Sequence, residues 1–162
     1  MSATSRRTLI AYALATLVVA LDQLSKAWVV SGLGLTRAAS IEVWGPLRLT
    51  LVNNGGVSFG LLQSDSPIGR WGLTAFSLVV AIALAVWVRS VQRLPTVIAV
   101  GFIIGGAMGN VIDRVRFGTV VDFVDLQRLF FPWIFNVADS AISIGIAVLL
   151  LESMLLPGKA EA

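Results

Sequence analysis

The sequence predicts an all-α integral membrane protein: four transmembrane helices, with a small extracytoplasmic β-rich platform between helices 1 and 2. Composition is the first reason. Of 162 residues, 57% are hydrophobic and 13% charged, against roughly 45–50% and about 25% in soluble domains. The second is four apolar runs, each near the roughly 20 residues that carry a helix through a bilayer core of about 30 Å. The third is strand-like alternation in the two long connections. The length suits one four-span domain over residues 1–162.

The first span runs from about Leu9 to Leu33, the second from about Trp71 to Val88, the third from about Pro95 to Ile112 and the fourth from about Phe135 to Leu156. Lipid offers no partners to unpaired backbone groups, so each should be a helix. Spans two and three are joined by Arg89 to Leu94, a short loop with two arginines and no acid. The other two connections are long, about residues 34–70 and 113–134. The first contains the strand-like IEVWGPLRLTLV (Ile41 to Val52) with a turn at Gly45-Pro46, and the second contains TVVDFVDL (Thr119 to Leu126). Both lie on one side of the membrane. In the third span Gly101, Gly105 and Gly109 recur every four residues with Gly106 alongside, a spacing that lets helices approach closely.

Short basic loops mark the cytoplasmic side. Arg6 and Arg7 in the N-terminal tail and Arg89 and Arg93 in the short loop place both termini inside. Seven of the nine acids then lie toward the outer side. SRRTLI (Ser5 to Ile10) before an apolar stretch has the look of a twin-arginine signal. Apolar sequence resumes after Asp22 to Lys26, however, so an uncleaved span is expected. The bases are scattered around apolar runs, which argues against nucleic-acid binding.

The chain has no cysteine and no histidine. That removes thiolate nucleophiles, Ser-His and Cys-His arrangements and most zinc sites. Chemistry must rest on carboxylates, lysine, hydroxyls or amides, with no metal or cofactor required. Polar side chains within spans cost several kcal/mol, about 2.5–3.5 for a charge on the most lenient scale, and so need a reason. Asp22 and Lys26, four apart with the acid first, form a favourable helical pair that either neutralises itself or serves a site. A Ser25–Lys26 dyad is disfavoured, because adjacent helical residues point about 100° apart. NNGGVSFG (Asn53 to Gly60) reads as a turn or as a nest of backbone amides. Gly106, Asn110 and Arg114 share one helical face, while Asp113 and Arg114 mark the interface. Asp122 is either an outward strand acid or a buried one among Val120, Val121, Phe123 and Val124. Asp139, three residues after Asn136, is either a helix cap or a site carboxylate.

LDQLSK, NNGGVSFG, GGAMGNVIDRVRFGTVVDF and FNVADS, in this order on a four-span chain, resemble the lipoprotein signal peptidase family (signal peptidase II). The resemblance implies an aspartyl protease of the bacterial plasma membrane. It would remove signal peptides from prolipoproteins before a diacylglyceryl-modified cysteine, near the extracytoplasmic face. Membrane lipids are the expected surroundings, and globomycin-type cyclic peptides the expected inhibitors. The family's catalytic aspartates fall on Asp122 and Asp139, and its supporting positions on Asp22, Lys26, Asn54, Gly56, Asn110, Arg114 and Asn136. Asn54 is favoured over Asn53 because Gly56, Phe59 and Gly60 then fall in the family's pattern, while Val57 and Ser58 stand where alanines are common. Arg114 would fix an acid such as Asp113, or a lipid headgroup.

Two carboxylates sharing a proton can hydrolyse a peptide: one activates water and the other donates to the carbonyl oxygen. The helix N-terminus favours Asp139 as the ionised member. The competing class is a small ion- or proton-coupled transporter with buried Asp and Lys. It predicts short loops on both sides and an isolated acid mid-span, whereas here the polar residues cluster at one face.

Overall fold

A computed structural model describes residues 3–36, 39–56 and 67–155. Four helices among them are long and apolar enough to span a membrane: α1 (Ala3–Ala27), α2 (Pro67–Trp87), α3 (Leu94–Phe117) and α4 (Val137–Leu155). A π-helical turn, Trp28–Gly32, extends α1. Strands β1 (Ser40–Trp44), β2 (Leu47–Asn54), β3 (Val120–Asp125) and β4 (Ile134–Phe135) form one antiparallel sheet in that order. The sheet is thus not confined to the connection between α1 and α2, since half its strands come from the connection between α3 and α4.

Helix α3 is the hub, packing against α1, α2 and α4. Its glycines explain how. A Cβ on Gly101 would lie 2.8 Å from the Ala11 carbonyl oxygen, and one on Gly105 would lie 2.7 Å from that of Ala15. One on Gly106 would collide with the Ala138 carbonyl. The row at 101, 105 and 109 therefore admits α1, and Gly106 admits α4. The predicted third span stopped at the charges of Asp113 and Arg114, yet α3 runs a further turn to Phe117. Both charges are buried, at 1% and 6% exposure. They are tolerated because each finds partners inside the protein.

Gly118 stops α3 in a left-handed conformation (φ 83°), returning its N–H to the Arg114 carbonyl. Arg70 of α2 donates to the Arg114 and Val115 carbonyls at 2.7 and 2.9 Å, capping the same helix end from outside. Helix α4 begins two residues later than predicted, because Phe135 belongs to β4. Leu156, which closes the predicted span, lies outside the described residues. At the far end, Arg7 of α1 donates to Gln92 at 2.7 Å, so the N-terminal helix start and the short α2–α3 loop share one end of the bundle. The sheet packs on the π-helical turn through Val29, Leu49, Leu51, Val121 and Phe123.

Candidate active site

The site forms where the sheet meets the starts and ends of three helices. Strand β3 alternates, and its register opposite β2 sets Asp122 against Val52 and Val120 against Asn54. Asp122 is 1% exposed, so it is no outward strand acid. Its Oδ2 accepts from Asn54 Nδ2 at 2.9 Å and its Oδ1 from Asn136 Nδ2 at 2.7 Å. Asn54, not the exposed Asn53, therefore serves the site, and its own Oδ1 accepts from the Gly56 N–H at 2.9 Å. The rest of that predicted nest, including Val57, Ser58, Phe59 and Gly60, lies outside the described residues.

Asp139 enters from the first turn of α4, 5% exposed. The helix cap is Asn136, not Asp139. Asn136 Oδ1 accepts from the Asp139 N–H at 2.9 Å, and the Asn136 carbonyl accepts the first helical bond, from Ser140 N. Asp139 Oδ2 accepts in return from the Asn136 N–H at 3.4 Å, closing a reciprocal capping box. Asn110 Nδ2 donates to Asp139 Oδ1 at 2.9 Å, and Asn136 Nδ2 reaches Asn110 Oδ1 at 3.2 Å. Asn136 thus bonds both carboxylates, and Asn110 links it to Asp139. Burial first, then the charge of Asp139, raises the Asp122 carboxyl from 3.8 to about 7, against the pull of the two asparagine donors.

Three residues along the same strand, Asp125 shows the opposite environment. It is fully buried, which pushes its carboxyl up, but hydrogen bonds from Thr50, the Gln127 N–H and Arg48, with the Arg48 charge, outweigh burial and lower it. Arg48 Nη2 lies 2.6 Å from it. One strand therefore holds an acid that resists ionisation and an acid that stays ionised as a structural pin.

A second layer supports the pair. Lys26 Nζ lies 2.7 Å from Asp22 and 2.8 Å from Asp113, and 3.4 Å from Asn110 Oδ1. Asp22 Oδ1 accepts the Ala138 N–H at 3.0 Å, and Asp113 Oδ2 accepts the Val121 N–H at 3.0 Å. This ion triad therefore fixes the start of α4 and the strand carrying Asp122. Gly109 makes room for it, since a Cβ there would fall 2.6 Å from Asp22 Oδ2. Arg114 does not hold Asp113, which Lys26 and Gln23 occupy. Its Nη2 donates to the Gly56 carbonyl at 2.9 Å, and it faces the charges of Asp139 and Asp122. Ser25 donates to the Asp22 carbonyl at 2.9 Å, leaving no Ser–Lys dyad.

Every predicted supporting residue thus gathers around the two aspartates. Sequence reasoning missed Gln23, whose Nε2 reaches Asp22, the Gly109 carbonyl and Asp113. It also missed the roles of Asp113 and Arg70. Beside Asp139, a cavity of about 240 Å3 is lined by Phe131, Phe135, Ser140, Ser143 and Ile144. Its wall is mostly apolar, with the aromatic pair Phe131–Phe135 edge-to-face at 5.7 Å.

A family model described as Signal peptidase (SPase) II matches residues 14–155. The chain belongs to the signal peptidase II family. It is 54% identical over 152 residues to the lipoprotein signal peptidase of Caulobacter vibrioides, covering 93% of this chain and 90% of that one. It is 44% identical over 142 residues to the lipoprotein signal peptidase of Methylorubrum extorquens, covering 87% and 82%. A solved bacterial membrane enzyme, determined by the in meso method at 2.3 Å, superposes with a TM-score of 0.82 at 28% identity, covering 94% of this chain and 93% of that one. The signal peptidase II family is one of proteases, which does not favour the transporter reading.

Proposed function

We propose that this protein is an aspartic endopeptidase that removes the signal peptide from prolipoproteins, cutting before the diacylglyceryl-modified cysteine. The single observation that carries the aspartic chemistry is Asn136. Its side chain bonds the Asp122 carboxyl at 2.7 Å while its backbone N–H bonds the Asp139 carboxyl at 3.4 Å. Such a bridge keeps two buried acids together, and two such acids do not both ionise readily.

The raised carboxyl of Asp122 supports it as the proton carrier at rest. Asp139 sits at a helix N-terminus with N–H donors from Asn110 and Asn136, which supports it as the carboxylate. In this reading Asp139 takes a proton from water as its oxygen attacks the scissile carbonyl carbon. Asp122 gives its proton to the carbonyl oxygen. Collapse of the tetrahedral species breaks the C–N bond: the proton gained by Asp139 passes to the leaving nitrogen, and one hydroxyl of the tetrahedral carbon returns its proton to Asp122 as the new carboxyl group forms. Asp22, Lys26, Asn54, Gly56, Asn110, Arg114 and Asn136 hold the pair and the neighbouring backbone.

The protein functions as one four-span domain of the bacterial inner membrane, both termini cytoplasmic and the site near the outer face. Prolipoproteins bearing the diacylglyceryl cysteine are its substrates, membrane lipids surround it, and globomycin-type cyclic peptides inhibit it. The test is cleavage of a lipid-modified prolipoprotein by the Asp122→Asn and Asp139→Asn variants in vesicles. Near wild-type turnover by either folded variant would overturn the dyad. Sidedness is checked by introducing Ser90→Cys or Thr36→Cys into this cysteine-free chain. Labelling of Cys at 90 from outside would invert the topology.

A further inference from the structure

A second cavity, of about 530 Å3, lies between the ends of α1 and α3 that approach the sheet. That volume is in the range of small-molecule sites, roughly 300–1,000 Å3. Its floor is polar, formed by Gln23 and the Lys26–Asp113 ion pair, and both ionised groups are at least nine-tenths buried. Val30 and Phe117 supply an apolar wall, and Arg116 stands beside them. Val121 also lines it. Asp122, next along the strand, points to the opposite face, so this cavity is separate from the aspartate pair.

Arg116 decides what the cavity can take. Its guanidinium lies 4.9 Å over the Phe117 ring, and among the described residues no carboxylate pairs with it. Lys26, by contrast, is already held between Asp22 and Asp113. The free positive charge therefore sits at the end of a membrane span, beside an apolar wall, at a cavity whose Arg116, Phe117, Val30 and Ser31 are all exposed on the span surfaces. A ligand that satisfies both features carries an anion and an apolar chain on one molecule.

We propose that this cavity binds one phospholipid, with its phosphodiester on Arg116 and the upper part of an acyl chain against Val30 and Phe117. Asp113 in the floor also accepts the Val121 N–H at 3.0 Å, so the cavity floor is tied by one hydrogen bond to the strand that carries Asp122. The source of the phosphate is the bilayer rather than solution, because an inorganic anion would leave the apolar wall uncovered.

Delipidated protein in detergent, titrated with phosphatidylglycerol and followed by native mass spectrometry, tests this. The wild type should bind one phosphatidylglycerol, which Arg116→Gln should bind at least about tenfold more weakly, the loss expected for one charge-assisted hydrogen bond. Ser31→Trp should obstruct the cavity beside Val30 and weaken that binding at least about tenfold. Unchanged thermal unfolding of both variants shows that they are folded. Diacylglycerol, which lacks the phosphate, should bind at least about tenfold more weakly than phosphatidylglycerol. Wild-type lipid affinity in both variants overturns the site, and equal affinity for diacylglycerol overturns the phosphate contact. Inorganic phosphate binding as tightly as the lipid overturns the lipid assignment in favour of a free-anion site.

Discussion

Replacing Asp122 by asparagine should make the protein inactive and, at alkaline pH, more stable. The Asp122 carboxyl is raised from 3.8 to about 7 in the folded protein, so folding favours its protonated form. The folded state then binds more protons than the unfolded one between those values, and stability falls as pH rises from about 4 to about 7. At 1.36 kcal/mol per pH unit, the cost above pH 7 approaches about 4 kcal/mol. Asparagine carries no such cost. Its amide group must, however, face one of the N–H donors now offered by Asn54 and Asn136, which costs about 1–3 kcal/mol. The variant should therefore gain about 1–3 kcal/mol at pH 8 and lose a similar amount at pH 4. For a chain of this length each kcal/mol moves Tm by about 2–4 °C. Thermal unfolding in detergent, read by tryptophan fluorescence from pH 4 to 8, measures the difference. A Tm difference between variant and wild type that stays constant across this range would refute the reasoning. Turnover should fall by two to four orders of magnitude, the worth of one positioned proton donor.

The pH dependence of the wild type follows from the same group. If Asp122 must be protonated, kcat/KM should fall about tenfold per unit above pH 7, and a profile flat to pH 9 would remove it as the acid. Gly109→Ala should displace Asp22, since the new Cβ would fall 2.6 Å from its Oδ2, lowering both Tm and activity. Gly72→Ala in α2 meets nothing within 4 Å and should instead stabilise by about 0.5–1 kcal/mol. Lys26→Met should strand two buried carboxylates and cost about 3–5 kcal/mol, with Lys26→Met/Asp113→Asn recovering part of the Tm. Asn136→Ala removes a cap and a link between the aspartates; a loss of about 1–3 kcal/mol in thermal unfolding should accompany lost cleavage.

Much of this was legible in the sequence because membranes impose periodic and compositional rules. The spans follow from length and apolarity, and the row Gly101, Gly105, Gly109 announced a close helix contact before its partner was known. The hairpin around Gly45-Pro46 and the strand at Asp122 followed from alternation. The residues that escaped notice are those whose partners are remote. Gln23 meets Asp113 90 positions away, Arg70 meets Arg114 44 away, and Arg48 meets Asp125 77 away. No periodicity encodes such pairings, since each depends on how helices and strands cross. The charges at Asp113 and Arg114 misled for the same reason: a helix appeared to end where unpaired charge began, but the pairing lay elsewhere in the chain.

The hydrogen bond from the Ala138 N–H to Asp22 Oδ1 joins residues 116 apart, one on the first helix and one on the last. During synthesis the first span exists long before the last, so Asp22 and Lys26 wait in the growing chain without their final partner. A chain halted before α4 lacks Asp139 and the hydrogen bond that seats it. With Asp122 and Asp139 as the proposed dyad, cleavage therefore waits until the final span has docked against the first.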